Sequence, residues 1–180
     1  MMEDHRQVSN RASIRLRPIA DGDRSLLFSL RRDNALQSLL LTVPAATDDA
    51  ALHAWIERRQ NEKGGAFLII EDQARGKAAG YVQITQVHHR NATGYGGIVL
   101  AKDARGIGLG RAALTELGFH ASQVLGLRKL MAEIDPDNIA SIGLHLSLGY
   151  REVGRLEAHF TDVDGLTRDV ILFERRLEGK

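Results

Sequence analysis

Apolar and polar residues alternate through Ser13-Ile-Arg-Leu-Arg-Pro-Ile19, which predicts a first strand ending near a proline. Asp21-Gly-Asp23 predicts a turn or cap, and Leu26, Leu27 and Leu30 then follow at helical spacing. Leu36 to Val43 is apolar without a clear period, and Pro44 stops it. Thr47-Asp-Asp49 caps an expected helix carrying Leu52, Trp55, Ile56 and Arg59, closed by Gly64-Gly65. Residues 66–71 and 79–85 predict the two strands of a hairpin around a polar turn at 72–77. Residues 94–101 predict the next strand. Ala113, Leu114, Leu117, Ala121, Val124 and Leu125 then fall on one helical stripe. Lys129-Leu-Met-Ala-Glu-Ile134 predicts a strand that Pro136 ends. Ile139, Ile142, Leu146 and Leu148 mark a second helical stripe, with Gly149 as its C-cap. Residues 150–160 and 167–177 predict two last strands joined at Asp164-Gly165. The order is mixed α/β with hairpins. One strand–helix–strand–helix run, between residues 94 and 150, carries the parallel part of a sheet.

Composition narrows the class. The 180 residues fit one domain with a real core, and 43% hydrophobic with 26% charged residues excludes disorder as the default. A net charge of +1 gives no electrostatic footprint for nucleic acid or an anionic membrane. With no cysteine there are no disulfides, thiol nucleophiles or thiolate metal sites, which suits a reducing cytoplasm. No apolar run approaches transmembrane length, and polar Met1 to Ser13 is not a signal peptide. The expectation is a cytoplasmic domain over residues 13–180, preceded by a mobile segment over residues 1–12.

The candidate chemistry lies in Ile98-Val-Leu-Ala-Lys-Asp-Ala-Arg-Gly-Ile-Gly-Leu-Gly-Arg111, a strand, a glycine loop and a helix start. Gly106, Gly108 and Gly110 leave backbone N–H groups unshielded at a positive helix end, flanked by Arg105 and Arg111, with Ile107 and Leu109 between them. That combination predicts a pyrophosphate cradle. Gly108-Leu-Gly-Arg-Ala-Ala113 also matches a dinucleotide fingerprint, with Glu133 where a ribose-binding acid belongs. Against a nicotinamide enzyme, the loop starts past mid-chain, hairpins flank it, and only one further strand–helix unit follows.

A second motif follows the next strand: Asp137-Asn138-Ile-Ala-Ser141-Ile-Gly-Leu-His145-Leu-Ser-Leu-Gly149-Tyr150. Together with Arg105-Gly-Ile-Gly108-Leu-Gly110, at this spacing, it resembles the GNAT superfamily of acyl-CoA-dependent N-acetyltransferases. Arg15-Leu-Arg-Pro-Ile and the closing strand pair are similar to the branch that acetylates ribosomal-protein N-termini, spermidine and amino sugars. The likeness runs from about residue 13 to 177.

The resemblance implies a single-domain α/β (α+β) fold. Its mixed sheet would have six or seven strands, with a parallel central pair that splays apart. It implies acetyl-CoA as co-substrate, a primary amine as acceptor, and no metal. Ile98, Val99 and Leu100 match the positions that bind the pantetheine amides, and a backbone N–H near Val99 or Leu100 would stabilise the oxyanion; residues 105–111 match the pyrophosphate loop; Asn138 matches a cofactor-contacting asparagine that also suits a helix N-cap. His145 stands where many members carry a tyrosine that protonates the departing thiolate. Tyr95 stands where a glutamate base is typical, and a phenol near pKa 10 is a poor base. Glu71, His88 and His89 are weaker candidates for proton transfer. Acceptor choice would come from residues 21–59 and the hairpins at 85–93 and 158–168. Related enzymes are often dimers, which makes a homodimer an expectation on that ground alone. A non-catalytic acyl-CoA-binding module on the same fold is the alternative.

Overall fold

The structure, a computed structural model, describes residues 12–178. The expectation of a mobile N-terminal segment lies, except for Ala12, outside the described residues.

The elements run β1 (Ile14–Arg17), α1 (Arg24–Arg32), α2 (Asn34–Leu39), α3 (Asp49–Gln60), β2 (Ala66–Asp72), β3 (Lys77–His88), β4 (Thr93–Leu100), α4 (Leu109–Gln123), β5 (Lys129–Ile134), α5 (Ile139–Ser147), β6 (Arg151–Thr161) and β7 (Thr167–Arg176). The seven strands form one sheet in the order β1-β2-β3-β4-β5-β7-β6, antiparallel except at β4–β5. The apolar stretch after Leu36 resolves into the short helix α2, capped by Asp33 Oδ1 on Leu36 N at 3.0 Å. It then becomes a loop in which Leu41 holds φ 53°.

Strand alternation sends side chains to two cores. On one face, Leu109, Ala113, Leu114, Leu117 and Ala121 of α4 pack on Ile70, Val82, Ile84, Leu130, Ala132 and Phe173. On the other, Leu27, Leu30, Trp55 and Ile56 from α1 and α3 pack on Phe67, Ile69, Tyr81 and Val99. Two expected stripes are narrower than the sequence suggests. Val124 is 64% exposed beyond the end of α4. In α5, Ile139 and Leu146 face out, and His145 is the buried residue. Helical period places these positions near the core face, but a short peripheral helix covers the core with only part of that face.

The central strands part. β4 pairs with β5 only at Thr93↔Lys129, Gly94↔Leu130 and Tyr95↔Met131. Beyond Tyr95, β4 stays with β3 as far as Leu100, while β5 stays with β7 as far as Ile134. The strands therefore diverge as a V, and the edges facing into it have no strand partner.

Candidate active site

The polar groups that face the V follow from ladder geometry. Ala101 N donates to Ala79 O at 2.9 Å. The two-residue repeat of an antiparallel ladder then turns Val99 and Gly97 toward β3, and Gly96, Ile98 and Leu100 toward the opening. This divides the expected trio. The Val99 peptide belongs to the β3 ladder and its side chain to the second core, where it is buried. Ile98 and Leu100 face the gap, and the Leu100 carbonyl already accepts from Arg105 Nε at 3.0 Å.

The glycine loop leads from the open end of β4 into α4. Gly106 (φ 75°) and Gly108 (φ 89°) hold left-handed backbone, which side chains resist. A Cβ on Gly106 would meet nothing within 4 Å, and one on Gly108 only Ala12 Cβ at 3.4 Å. Crowding therefore does not explain these glycines, whereas backbone conformation does. Gly110 differs: its Cβ would press on Leu144 at 3.2 Å and Leu100 at 3.4 Å, so it serves helix packing. No side chain caps α4, and no N–H from Gly106 to Arg111 donates to another described residue. Six amides without such a partner therefore run along the loop and into the helix start, with Leu109 and Gly110 buried and Arg105 and Arg111 exposed. A diphosphate fits this donor set.

On the opposite side of the V lies a cavity of about 230 Å³, bounded by α1, α3, the 39–42 loop, β3, β4, β5 and α5. Tyr95, Asn138 and His145 all line it, as do Ile98 and Val99. Asn138 is the N-cap of α5: its Oδ1 accepts from Ser141 N at 3.2 Å, and its Nδ2 reaches Leu39 O at 3.5 Å. His145 is 3% exposed and stands edge-on to Tyr150, with centroids 4.8 Å apart. Its Nδ1 lies 2.8 Å from the Ser141 carbonyl, which only accepts, so Nδ1 carries the hydrogen. Nε2 is buried without a partner among the described residues. Burial lowers the imidazole's pKa against the opposing effect of that carbonyl, so the ring rests neutral with its lone pair on Nε2. Tyr95 is shifted the other way: desolvation, then the Glu133 carboxylate, raise its pKa, and the phenol keeps its proton.

The remaining expected residues fall elsewhere. Glu71 is engaged by Arg17 at 2.5 Å and Arg15 at 2.9 Å and does not line the cavity. His88, His89 and the 158–168 hairpin do not line it either. Sequence reasoning missed Arg31 and Gln37, and took Glu133 only for a nucleotide acid; all three are on the wall. Arg59, also on the wall, carried a signal: it continues the Leu52, Trp55, Ile56 stripe, an arginine on an apolar face. Among the described residues no group of three or more His, Asp or Glu side chains is placed to hold a metal ion.

Residues 13–151 match the family described as Acetyltransferase (GNAT) domain. This chain belongs to the GNAT acetyltransferase family. Its fold is that of spermidine N-acetyltransferase from Vibrio cholerae, solved with CoA and spermine: TM-score 0.83 over 91% of this chain and 95% of that one, at 19% identity. L-methionine sulfoximine/L-methionine sulfone acetyltransferases of Pseudomonas paraeruginosa and Pseudomonas aeruginosa are each 32% identical over 114 residues, 61% of this chain. The match spans about three fifths of those relatives' length, 63%. The GNAT assignment removes the nicotinamide reading of the glycine loop, since the sheet has one parallel pair where a dinucleotide fold needs several. No helix among the described residues is long and apolar enough to cross a membrane.

Proposed function

We propose that this GNAT domain transfers an acetyl group from acetyl-CoA directly to a primary amine. The observation that carries the reading is the run of six amides, Gly106 to Arg111, without a partner among the described residues, at the open end of the parted strands. Those amides, with Arg105 and Arg111, would hold the diphosphate. Peptide groups of Gly96 and Ile98 and the Leu100 N–H would bind an extended chain as a further strand does. The bound thioester supplies an activated acetyl group, and the cavity across the V would hold the amine. The named relatives support amines as the acceptor class, one a polyamine acetyltransferase and the other acting on amino-acid analogues.

His145 takes a proton before it gives one. With Nδ1–H committed to Ser141, Nε2 accepts from the amine side and then returns the proton to the leaving thiolate. This revises the role of a simple acid, because a depressed pKa leaves little imidazolium at neutral pH. Tyr95 serves as a hydrogen-bond donor and not as a base. The oxyanion would lie against the Ile98 or Leu100 edge.

Thiol release from acetyl-CoA, screened over protein N-terminal peptides, amino sugars, polyamines and amino acids, tests the reading. Acyl transfer to at least one class is expected. The protonated Tyr95, where a glutamate base is typical, supports a second reading, a binding module: acetyl-CoA binding with no thiol release for any amine would establish it.

A further inference from the structure

The acceptor cavity carries a cation that no carboxylate answers. Arg31 lies one helical turn after Leu27, so the packing that buries Leu27 and Leu30 aims its side chain inward. The guanidinium lies over the Trp55 ring at 5.2 Å. It donates to Gln37 Oε1 at 2.6 Å and toward Thr42 Oγ1 at 3.4 Å, both neutral. Gln37, 1% exposed, is fixed in turn: its Nε2 donates to Leu30 O at 2.9 Å, and its Oε1 accepts from Thr42 Oγ1 at 2.6 Å. None of the ion pairs among the described residues includes Arg31; burial lowers its pKa first, the Tyr81 phenol opposes that, and Arg59 and Arg58 lower it further. Arg59 pairs with Glu62 at 3.0 Å, but its buried Nε donates to nothing among the described residues. Glu62 is already shared with the Gln86 amide at 2.9 Å. On the far wall, at the parted strands, the charge reverses: Glu133 of β5 faces the cavity beside Tyr95.

We propose that Arg31, backed by Arg59, receives a carboxylate on the acceptor, so that the substrate is a small amino acid rather than a polyamine or a protein N-terminus. This rests on the acetyl-transfer reading above. A guanidinium fork matches a carboxylate in geometry as well as charge. A desolvated guanidinium without a counter-ion is stabilised most by a ligand that brings one. The zwitterion then matches both walls, its carboxylate on the α1–α3 side and its amine toward Glu133, Tyr95 and the parted strands. A polyamine would set ammonium groups against two arginines. The volume, about 230 Å³, lies below the ~300–1,000 Å³ of sites that take drug-sized ligands.

The test compares kcat/KM in thiol release for the L-amino acids, their methyl esters, 2-aminoethanesulfonate, spermidine and a tripeptide, using the full chain. The expected result is turnover of one or more amino acids, with the matching ester down about 100-fold. Arg31→Gln should lower kcat/KM for the acid by about the same factor, with the ester rate, the acetyl-CoA affinity and the melting temperature nearly unchanged; Arg31→Lys should recover part of the loss. Esters, sulfonate, tripeptide or spermidine used as well as the acids would overturn this proposal and leave acetyl transfer standing. If acetyl-CoA binds but no amine reacts, acetyl transfer fails instead. The carboxylate site is then judged by calorimetry with the same amino acids. Binding that is lost in Arg31→Gln supports it, and no binding, or binding equal in both proteins, rejects it.

Discussion

At the scale of single residues, a glycine and a histidine carry the most chemistry. Gly108 has room for a side chain but holds φ 89°, so a β-branched residue there must pull the loop out of left-handed backbone. Gly108→Val is expected to weaken acetyl-CoA binding at least ~100-fold, by calorimetry, in a protein whose circular dichroism is unchanged. Unaltered affinity would remove the cradle from the mechanism. His145→Phe is expected to lower turnover by ~100-fold or more while sparing acetyl-CoA affinity, the usual range for a lost proton-transfer group. A second readout is independent of turnover. Burial lowers the His145 pKa below its unfolded value, so its contribution to stability is complete above about pH 6.5 and is lost as pH falls through the folded pKa. His120 is shifted in the same direction by burial and stays in both proteins. Urea unfolding between pH 7.5 and 5 should therefore show a smaller acid-side loss in His145→Phe than in the parent, by up to one proton. Parallel curves would mean that His145 is charged in the native state.

At the scale of elements, the V depends on β4 staying with β3 while β5 leaves. Gly80 holds that pairing close: a Cβ there would lie 2.0 Å from the Val99 carbonyl oxygen and 2.9 Å from Leu100 Cα. Gly80→Ala must push the β3 and β4 backbones apart next to the open edge. A loss of roughly 2–3 kcal/mol in denaturant unfolding is expected, of the size of core overpacking, together with weaker acetyl-CoA binding. If stability and binding both hold, β4 is not anchored where the ladder register places it. The α1 side of the cavity has its own fastening. Arg17 of β1 grips Asp23, just ahead of α1, at 2.7 and 2.9 Å, and Glu71 of β2 at 2.5 Å. Asp23 is buried and its pKa is held down first of all by that guanidinium. The start of α1, and with it Arg31, is thus tied to the sheet edge.

At the scale of the molecule, two cores on opposite faces of one sheet leave a gap through the sheet between them. The glycine loop lies at the start of α4 and the charged cavity is bounded by α1 and α3, so under the proposed function a thioester and an amine would meet from opposite directions. A ligand bound in that gap adds stability to the whole fold. Acetyl-CoA at 100 times its Kd should stabilise by about 2.7 kcal/mol, read as a higher melting temperature, while NAD at the same concentration should leave the melt unmoved. The opposite ranking would return the glycine loop to its nucleotide reading.

Local patterns settled most of the architecture. Helix α4, strand β5, the hairpins and the caps at Asp48, Asn138 and Gly149 were legible because periodicity, turn residues and capping act over a few residues. The glycine loop was legible for the same reason: its amides and its helix are contiguous. What faces what was not. Which β4 peptides look into the gap depends on the register with β3, and the depressed pKa of His145 depends on the burial of the inward face of α5. Arg31 and Glu133, about a hundred residues apart in sequence, line one cavity. Charge, solvation and hydrogen-bond partners are set by neighbours in space, so the sequence determined the elements and the glycine loop, and only the tertiary structure decided what surrounds the cavity.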